Sequence, residues 1–438
     1  MISPSFSSLW FLCVLTWLCS PHAEAGFALN GNQFAEGEEI TASFSESPGN
    51  STDWVGIYSD PGNGPVDGVF VGGSTIWRYT SGTQTAGAGV VDGSVTFASP
   101  GLAPGNYIAF FMANDGYESI EDPVPFAVRV AGEVAPEFLV DPVSLVRAEV
   151  GGAYGGRLGA YVSDPGDELT FAKVSGAEWL MVGESGDLSG VPAETDLGEN
   201  VFIISVTYSA GLSDQAVVTI AVTPVGGAPV ESVGVMTYNL WVGGTTSKNL
   251  AAIIKSGADV LGLQETNGQA ARHAESLGWH ALQSGGSTAV LSKYPIIETY
   301  TAGAGVGARI RISTDPFQEI VVWSCHLTAF PYGPYDGCFD GASEASILGN
   351  ETVSGRLPQV QTILTAMEGQ LGNADQVPVF LVGDFNTPSH LDWTEATAAS
   401  HCDYAINWPV TLAVAAADLT DAYRVVHPDP AVRPGNTW

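Results

Sequence analysis

Residues 378–393, PVFLVGDFNTPSHLDW, place two polar side chains directly after a run of apolar residues. Val379 to Val382 have the composition of a buried strand, and Asp384 and Asn386 follow that strand closely. A half-buried carboxylate at the end of a strand costs free energy unless a cation or hydrogen-bond donors lie beside it. The stretch therefore indicates a site at which the two side chains bind something.

Polar residues end further apolar runs in the same part of the chain. VGVMTYNLW carries Asn239, DVLGLQET carries Glu265 and VVWSCHL carries His326. Ligand-binding side chains of α/β sheets collect at strand ends, so we expect these residues to converge with Asp384 and Asn386. Oxygen donors with a single imidazole suit Mg²⁺, Mn²⁺ or Ca²⁺ over zinc, and a hard cation with open positions is typical of phosphoryl transfer. Each residue alone also fits a cap, an Asx-turn or a core histidine, but the set favours a site.

These strand ends belong to a region that we assign to residues 233–438, where strand-like runs alternate with helix-like ones such as LPQVQTILTAMEGQ. Residues 26–130 instead alternate short β-rich runs with Gly, Pro and Asn turns, at the spacing of a β-sandwich of immunoglobulin size. Residues 134–223, which begin within the linker-like AGEVAPEF (131–138), form a second such unit. The predicted fold class is therefore multidomain, with two all-β Ig-like sandwiches followed by an α/β region.

Four aromatic residues of the first sandwich allow two interpretations. They form either a platform that binds the sugar rings of a polysaccharide or part of the sandwich core. Core packing is the commoner use of aromatic side chains in such strands and is favoured here. The four residues are Trp54, Trp77, Tyr107 and Phe111.

The charge balance of the 438 residues is strongly acidic, with a formal net charge of −33. Such a surface repels phosphate backbones and anionic membranes at long range. Acidic side chains outnumber basic ones in the α/β region as well, which leaves no evident groove for a long polyanion. A local phosphate site remains open through Arg272, Arg309, Arg311 and Arg356.

Residues 1–25 have the organisation of a secretory signal peptide. The apolar stretch from Leu9 to Cys19 is too short to span a bilayer, and Ala-Glu-Ala follows it before Gly26. The alternative is an uncleaved anchor or a buried strand. No later segment is long and apolar enough to cross a membrane, so we expect a released protein, either extracellular or periplasmic.

The cysteines fit an oxidising compartment. Cys13 and Cys19 leave with the signal peptide. Cys338 and Cys402 lie in loop-like sequence, whereas Cys325 lies in the apolar run VVWSCHL. We therefore expect one disulfide, between Cys338 and Cys402, and one free thiol.

The second sandwich resembles the putative-immunoglobulin and dystroglycan-type cadherin-like modules of surface proteins. The resemblance rests on the order DPGDELTF, WL, GDLSGVP and DLGEN, followed by a closing V-x-I-x-V strand. It implies an extracellular spacer or an adhesion module that contacts a cell surface, in some members with calcium. Calcium binding and plain solvation both remain open for Asp164, Asp167, Asp187 and Asp196.

The α/β region resembles the endonuclease/exonuclease/phosphatase superfamily, which includes deoxyribonuclease-type nucleases and neutral sphingomyelinases. The motifs that carry the resemblance follow the family's order: MTYNLW (236–241), LQET (263–266), CHL (325–327), GDFNTP (383–388) and LTDAYR (419–424). The resemblance implies a four-layer fold, with two packed mixed sheets and helices outside. It also implies hydrolysis of a phosphodiester by metal-assisted water, with Mg²⁺ as the cofactor and Mn²⁺ or Ca²⁺ as alternatives.

The same resemblance implies a role for each residue at the strand ends. Glu265 is implied as the principal Mg²⁺ ligand, with Asn239 beside it. His326 is implied to contact the scissile phosphate, and Asp384 to orient or deprotonate the attacking water. Asn386 is implied to position the phosphate or the metal.

Two loops that follow these motifs are candidates for a substrate rim. PYGPYD comes shortly after the CHL motif, and SHLDW comes directly after GDFNTP. Loops of this composition contact substrate in some proteins and only pack in others. The candidate rim residues are Tyr332, Tyr335, His390, Asp392 and Trp393.

The end of the chain departs from the family pattern. Family members continue from a G-x-T-W-like segment into a further strand and a final S-D-H, whose Asp and second His are central to catalysis, whereas this sequence ends at Trp438. We therefore expect a C-terminally truncated sequence whose four-layer fold is incomplete at its C-terminus. The missing pair is a reason for the chain as given to be inactive.

Two functions stay open on this basis. The first is a secreted, divalent-metal-dependent phosphodiesterase or nuclease that acts on nucleic acid, a lipid head group or a small phosphodiester. The second is an extracellular adhesion or binding protein whose hydrolase-like region is inactive.

Overall fold

The structure, a computed structural model, describes residues 26–435 except residues 46, 67, 99, 131–134, 164–168, 209–210 and 285–286. The predicted signal peptide, Asp164, Asp167 and residues 436–438 lie outside the described residues. Throughout the described part of the chain, α-helices occur only after residue 245. None of those helices has the length and apolar character needed to cross a bilayer.

The first part of the chain folds as a β-sandwich. Its strands are β1 (Gly26–Leu29), β2 (Gln33–Ala35), β3 (Ile40–Ser45), β4 (Trp54–Ser59), β5 (Ile76–Tyr79), β6 (Gly93–Phe97), β7 (Gly105–Met112) and β8 (Val124–Arg129). One sheet has the order β1-β3-β6 and the other the order β2-β8-β7-β4-β5. Strand β3 shows why they pack together: Ile40, Ala42 and Phe44 alternate with more exposed residues, so one face of the strand is apolar.

The four aromatic residues considered as a sugar platform lie on two faces of this sandwich. Tyr107 and Phe111 lie in the core between the sheets, with 7% and 0% of their surface exposed. Trp54 is 8% exposed and packs edge-to-face against Trp77 on the outer face, with 5.9 Å between the ring centroids. Because three of the four rings are more than nine-tenths buried, the core interpretation is favoured.

The second part of the chain is also built from β-sheets. Its strands are β9 (Val143–Ser144), β10 (Ala148–Glu149), β11 (Tyr154–Arg157), β12 (Leu169–Ser175), β13 (Leu180–Val182), β14 (Asp187–Gly190), β15 (Gly198–Tyr208) and β16 (Ser213–Thr223). One sheet has the order β10-β16-β15-β12, with β9 also paired to β16, and the other has the order β11-β14-β13. The long β15–β16 hairpin alternates buried and partly exposed residues, which gives the larger sheet its apolar inner face.

The third part alternates strands and helices. Its strands are β17 (Val235–Asn239), β18 (Val260–Gln264), β19 (His280–Ser284), β20 (Thr288–Ser292), β21 (Ile296–Ala302), β22 (Gly305–Thr314), β23 (Phe317–His326) and β24 (Val379–Asp384). Its helices are α1 (Thr246–Ser256), α2 (Ala270–Leu277), α3 (Gly333–Cys338), α4 (Glu344–Ser354), α5 (Arg356–Leu371), α6 (Pro409–Ala416) and α7 (Ala422–Val426).

These elements form four layers. One sheet has the order β17-β18-β20-β19 and the other the order β21-β22-β23-β24. Side chains such as Val260 and Val322 fill the core between the two sheets. On the outer faces, Leu261 and Leu291 pack against α1 and α2, and Trp323 packs against α5 and α6. The predicted fold class, two β-sandwiches followed by an α/β region, is confirmed.

The two sheets bring four strand ends to one place. Strands β17 and β18 run parallel, as do β23 and β24, so the last residues of each pair are neighbours: Asn239 is opposite Gln264, and His326 is opposite Asp384. Strand β17 also packs against β24 of the other sheet. A glycine permits this close approach, because a Cβ at Gly262 would lie 2.5 Å from a methyl group of Val382.

Candidate active site

The side-chain amide of Asn239 joins two carboxylates at the meeting point of the sheets. Its Nδ2 atom donates to Glu265 Oε1 and to Asp384 Oδ2, at 3.0 Å in each case. Its Oδ1 atom accepts a hydrogen bond from the backbone of Trp241 at 2.9 Å. The structure thus brings together three residues that are far apart in the sequence, as predicted from their positions at strand ends.

Glu265 is held by an unusual backbone conformation. It has a φ of +52°, and its Oε2 atom accepts a hydrogen bond from the backbone N–H of Val242 at 2.7 Å. Trp241 and Val242 have φ values of +49° and +57°. Non-glycine residues in this left-handed region cost about 1–3 kcal/mol each and persist only where the surroundings fix them. Such conformations cluster at functional sites, and here they direct the backbone N–H of Trp241 at the Asn239 amide oxygen and that of Val242 at the Glu265 carboxylate.

His326 faces both carboxylates from the end of β23. Its Nε2 atom lies 3.9 Å from Glu265 Oε1 and 3.9 Å from Asp384 Oδ2. Its Nδ1 atom lies 3.3 Å from the hydroxyl of Ser287. Ser287 was not among the predicted site residues, since a serine in a Gly-Ser turn carries no signal of its own. Its backbone carbonyl also accepts from Thr266, which ties this turn to the segment that carries Glu265.

The Gly-Asp-Phe-Asn stretch at the end of β24 is fixed from several sides. Asp384 Oδ1 accepts from the backbone N–H of Asn386 at 2.9 Å, and Asn386 Nδ2 donates to the carbonyl of Leu327 at 2.8 Å. Gly383 has a φ of +151°, and a Cβ there would lie 2.1 Å from the carbonyl oxygen of Cys325. Only glycine therefore fits directly before Asp384.

A buried ion pair holds the loop that follows His326. Arg356 is fully buried, pairs with the buried Glu351, and donates to the carbonyls of Thr328 and Ala329 at 2.9 and 3.2 Å. The expectation that Arg356 contributes to a phosphate site is therefore wrong, because all its donors face the protein interior. Its function in the structure is to fix the backbone beyond His326.

The other arginines considered for phosphate binding are also placed. Arg309 and Arg311 both pair with the buried carboxylate of Glu319 on the neighbouring strand. Arg272 is exposed on α2. None of these contacts joins the cluster around Asn239.

The candidate rim residues divide into two groups. In the PYGPYD loop, Tyr332 is half-buried and Tyr335 is exposed, with their rings 5.0 Å apart. Burial raises the pKa of the Tyr332 phenol, and the negative charges of Tyr335 and Asp384 raise it further. Tyr332 and Tyr335 therefore remain candidates for the rim.

The SHLDW loop is held by packing and internal bonds. Trp393 is 8% exposed and packs against Trp408 and His401, so it is a core residue and not a rim residue. Asp392 accepts from Arg424 Nε at 2.6 Å. His390 is bonded through Nδ1 to Thr411 at 2.9 Å. The sequence placed these side chains next to the GDFNTP motif, but their partners lie between 8 and 32 residues away along the chain.

The disulfide and the free thiol lie near the same loops. Cys338, at the end of α3, is bonded to Cys402. Cys325 is fully buried beneath α5 and α6, and burial raises the pKa of its thiol. The disulfide therefore connects the PYGPYD loop to the segment that follows SHLDW.

The donors in this cluster fit a hard divalent cation. Among the described residues, His326 is the basic side chain that lies within 4 Å of both Glu265 and Asp384. The two carboxylates therefore lie close together with little positive charge beside them. Carboxylate and amide oxygens are the ligands that Mg²⁺ prefers, and Mg²⁺ keeps several waters. No group of three or more His, Cys, Asp or Glu side chains among the described residues is arranged to ligate one metal ion. The fit therefore depends on the carboxylates of Glu265 and Asp384, toward which Asn239 turns its NH₂ group.

Comparison with known proteins locates the similarity in this region. A model of the Endonuclease/Exonuclease/phosphatase family matches residues 236–431. An uncharacterised protein of Caenorhabditis elegans is 35% identical over 222 residues, which cover 46% of this chain and 69% of the worm protein.

The solved structures that match this chain do so at low sequence identity and with low TM-scores. ANGEL2, a 2′,3′-cyclic phosphatase, is 19% identical over 38% of this chain and 55% of its own, with a TM-score of 0.25. The first two domains of chicken VE-cadherin are 17% identical over 44% of this chain and 98% of theirs, with a TM-score of 0.18. The relationship therefore depends on the family model and the worm protein.

Proposed function

Because this chain belongs to the endonuclease/exonuclease/phosphatase family, we propose that its α/β region hydrolyses a phosphodiester with metal-assisted water. The observation that carries the proposal is the amide of Asn239, which lies 3.0 Å from a carboxylate of each sheet, with His326 3.9 Å from both carboxylates. A bound cation would relieve the repulsion between Glu265 and Asp384 and leave positions open for phosphate oxygens.

Glu265 and Asn239 are the residues that we propose hold Mg²⁺. Glu265 receives a backbone hydrogen bond on Oε2, which orients the carboxylate and leaves Oε1 turned toward the cluster. When bound, Mg²⁺ would supply charge neutralisation at the phosphate and lower the barrier to attack. Mn²⁺ and Ca²⁺ are alternatives with the same preference for oxygen ligands.

For the remaining residues we propose the roles that the family resemblance implies. Asp384 orients the attacking water and accepts its proton as the new P–O bond forms and the ester oxygen leaves. His326 donates a hydrogen bond to a phosphate oxygen, where charge accumulates during the attack. The amide nitrogen of Asn386 is used by Leu327, which leaves its amide oxygen for the metal or a water.

We also propose that the protein acts outside the cell. The disulfide between Cys338 and Cys402 supports an oxidising compartment, and residues 1–25 have the pattern of a signal peptide. The two β-sandwiches would then act as extracellular spacers or as contacts to a cell surface or polysaccharide.

Hydrolysis of bis(4-nitrophenyl) phosphate by the purified protein tests the proposal. We expect turnover that requires Mg²⁺, disappears with EDTA, and falls at least about 100-fold in Glu265→Gln. Glu368→Gln, an exposed glutamate on α5, is the matched control and should retain wild-type activity. Absence of hydrolysis of this ester, DNA, RNA and sphingomyelin with Mg²⁺, Mn²⁺ or Ca²⁺ would favour the adhesion or binding protein instead.

A further inference from the structure

Large apolar side chains that follow two strand ends of the candidate active site are exposed to solvent. Some follow the strand that ends at Asn239, and the others follow the strand that ends at His326. We call this set the apolar collar. It consists of Trp241 (67% exposed), Val242 (69%), Phe330 (67%), Tyr335 (43%) and Phe339 (77%).

One side of the collar is held in its exposed position by the site itself. The backbone N–H groups of Trp241 and Val242 donate to Asn239 and Glu265, at 2.9 and 2.7 Å. Both residues have positive φ, which is a genuine outlier for a β-branched residue such as valine. The exposure of this pair is therefore a consequence of a fixed, strained backbone rather than of a loose loop.

The other side is fixed by different contacts. The residue before Phe330 is bonded through its carbonyl to the buried Arg356. Phe339 directly follows Cys338, the last residue of α3, which is bonded to Cys402. Gly333 and Gly337 of α3 lie directly on the rings of Trp408 and Tyr404, so the helix has no room to turn its exposed side inward. Both sides of the collar are thus preorganised with apolar groups in water.

The charge around the collar selects among possible partners. Residues 240–247 contain no charged side chain, and residues 327–339 contain one, Asp336. Neither segment contains lysine or arginine, and the basic residue that follows the first segment, Lys248, pairs with Glu39. On a chain with a net charge of −33, such segments do not suit nucleic acid or an anionic membrane. Apolar side chains without cations suit an electrically neutral lipid surface, where aromatic rings are favoured at the head-group level.

Resting on the phosphodiesterase function proposed above, we propose that the apolar collar docks the protein on a lipid surface with zwitterionic head groups. The substrate is then the phosphodiester of such a head group. The two sides of the collar extend from the segments that carry the candidate catalytic residues, so docking places head groups at the carboxylates. Exposed apolar groups of this kind otherwise promote aggregation, and a lipid surface removes them from water.

Vesicle partition measured in EDTA tests docking independently of catalysis. The wild-type protein is mixed with phosphatidylcholine vesicles, with or without added phosphatidylserine, and the bound fraction is read by sedimentation. The collar variant carries Trp241→Asn, Val242→Asn and Phe339→Ser, since asparagine tolerates positive φ. Phe317→Ser is the matched control: Phe317 is 57% exposed, but it lies at the opposite end of β23 from His326.

We expect wild type and Phe317→Ser to bind neutral vesicles equally, and the collar variant to bind at least about 10-fold more weakly. Phosphatidylserine should weaken binding at low salt. Glu265→Gln should bind vesicles like wild type, so loss of hydrolysis alone leaves docking intact. Docking is overturned if wild type ignores neutral vesicles, if it binds polysaccharide instead, or if the collar variant binds as well as wild type. If the triple variant does not melt like wild type, Phe339→Ser alone gives the same comparison.

Discussion

The side-chain amide of Asn239 donates to Asp384 across 3.0 Å, although the two residues end strands of different sheets. The same amide donates to Glu265 of its own sheet. The candidate site is therefore a property of how β17 packs against β24, and not of any single loop. A change that shifts the sheets relative to one another alters the spacing of the two carboxylates directly.

Replacing Asn239 by aspartate tests this relationship. Asn239→Asp removes the NH₂ group that both carboxylates share and adds a third negative charge. Without metal, repulsion among three carboxylates should lower the melting temperature. Mg²⁺ should then raise the melting temperature of the variant by more than that of wild type, because a ligand that binds the folded state more tightly stabilises it more.

Differential scanning calorimetry with Mg²⁺ or EDTA measures both effects. Asp336→Asn removes a carboxylate that contacts Asn350 outside the cluster and is the control, with no expected change in the Mg²⁺ response. An Asn239→Asp protein that melts like wild type in EDTA and ignores Mg²⁺ would contradict this account of the site.

Several features of the site could be predicted from the sequence because they follow from periodicity. Buried strands appear as short apolar runs, so the polar residue that ends each run can be located by number. Asn239, Glu265, His326 and Asp384 were found in this way, and the structure places their side chains together. The alternating strand and helix patterns likewise predicted the α/β region.

Other features depend on contacts that no local pattern records. From the sequence alone, Arg356 was a candidate for binding phosphate. In the structure it pairs with Glu351 on the preceding helix, and both side chains are buried. Trp393 was assigned to a rim by its position, whereas Trp408 and His401 enclose it. These outcomes are decided by tertiary packing, which composition does not reveal.

Arg356 should be important for stability. Arg356→Met leaves Glu351 as an unpaired buried carboxylate, which costs about 3–5 kcal/mol of unfolding free energy. Replacing both residues, Glu351→Leu with Arg356→Met, should cost less than Arg356→Met alone. Urea denaturation measures these differences, and Arg272→Met on the exposed face of α2 should change stability by less than about 0.5 kcal/mol. A double variant that is less stable than Arg356→Met would show that the charges themselves are not responsible.

The disulfide should contribute to the free energy of unfolding about as much as the buried Arg356–Glu351 pair does. Cys338 and Cys402 are separated by 64 residues, and closing a loop of that length removes about 4 kcal/mol of entropy from the unfolded chain. The Cys338→Ser, Cys402→Ser variant should therefore unfold at lower urea concentration and should not respond to dithiothreitol. Wild type should fall to the level of the variant once thiol titration shows the bond reduced. Unchanged stability of the fully reduced protein would contradict the prediction.

His401 should make stability depend on pH between neutral and mildly acidic conditions. Burial lowers the pKa of His401, which stacks on Trp393 with 4.6 Å between ring centroids. As the pH falls below 6.5, the ordinary value, the unfolded chain takes up this proton more readily than the folded one, so the stability that the neutral ring contributes is lost. The His401→Phe variant has no titratable group at this position. The free energy of unfolding of wild type, relative to that of the variant, should therefore decline from pH 7.5 to pH 5. Urea midpoints at the two pH values give the comparison, and a wild-type advantage that grows on acidification would reverse the assigned direction of the shift.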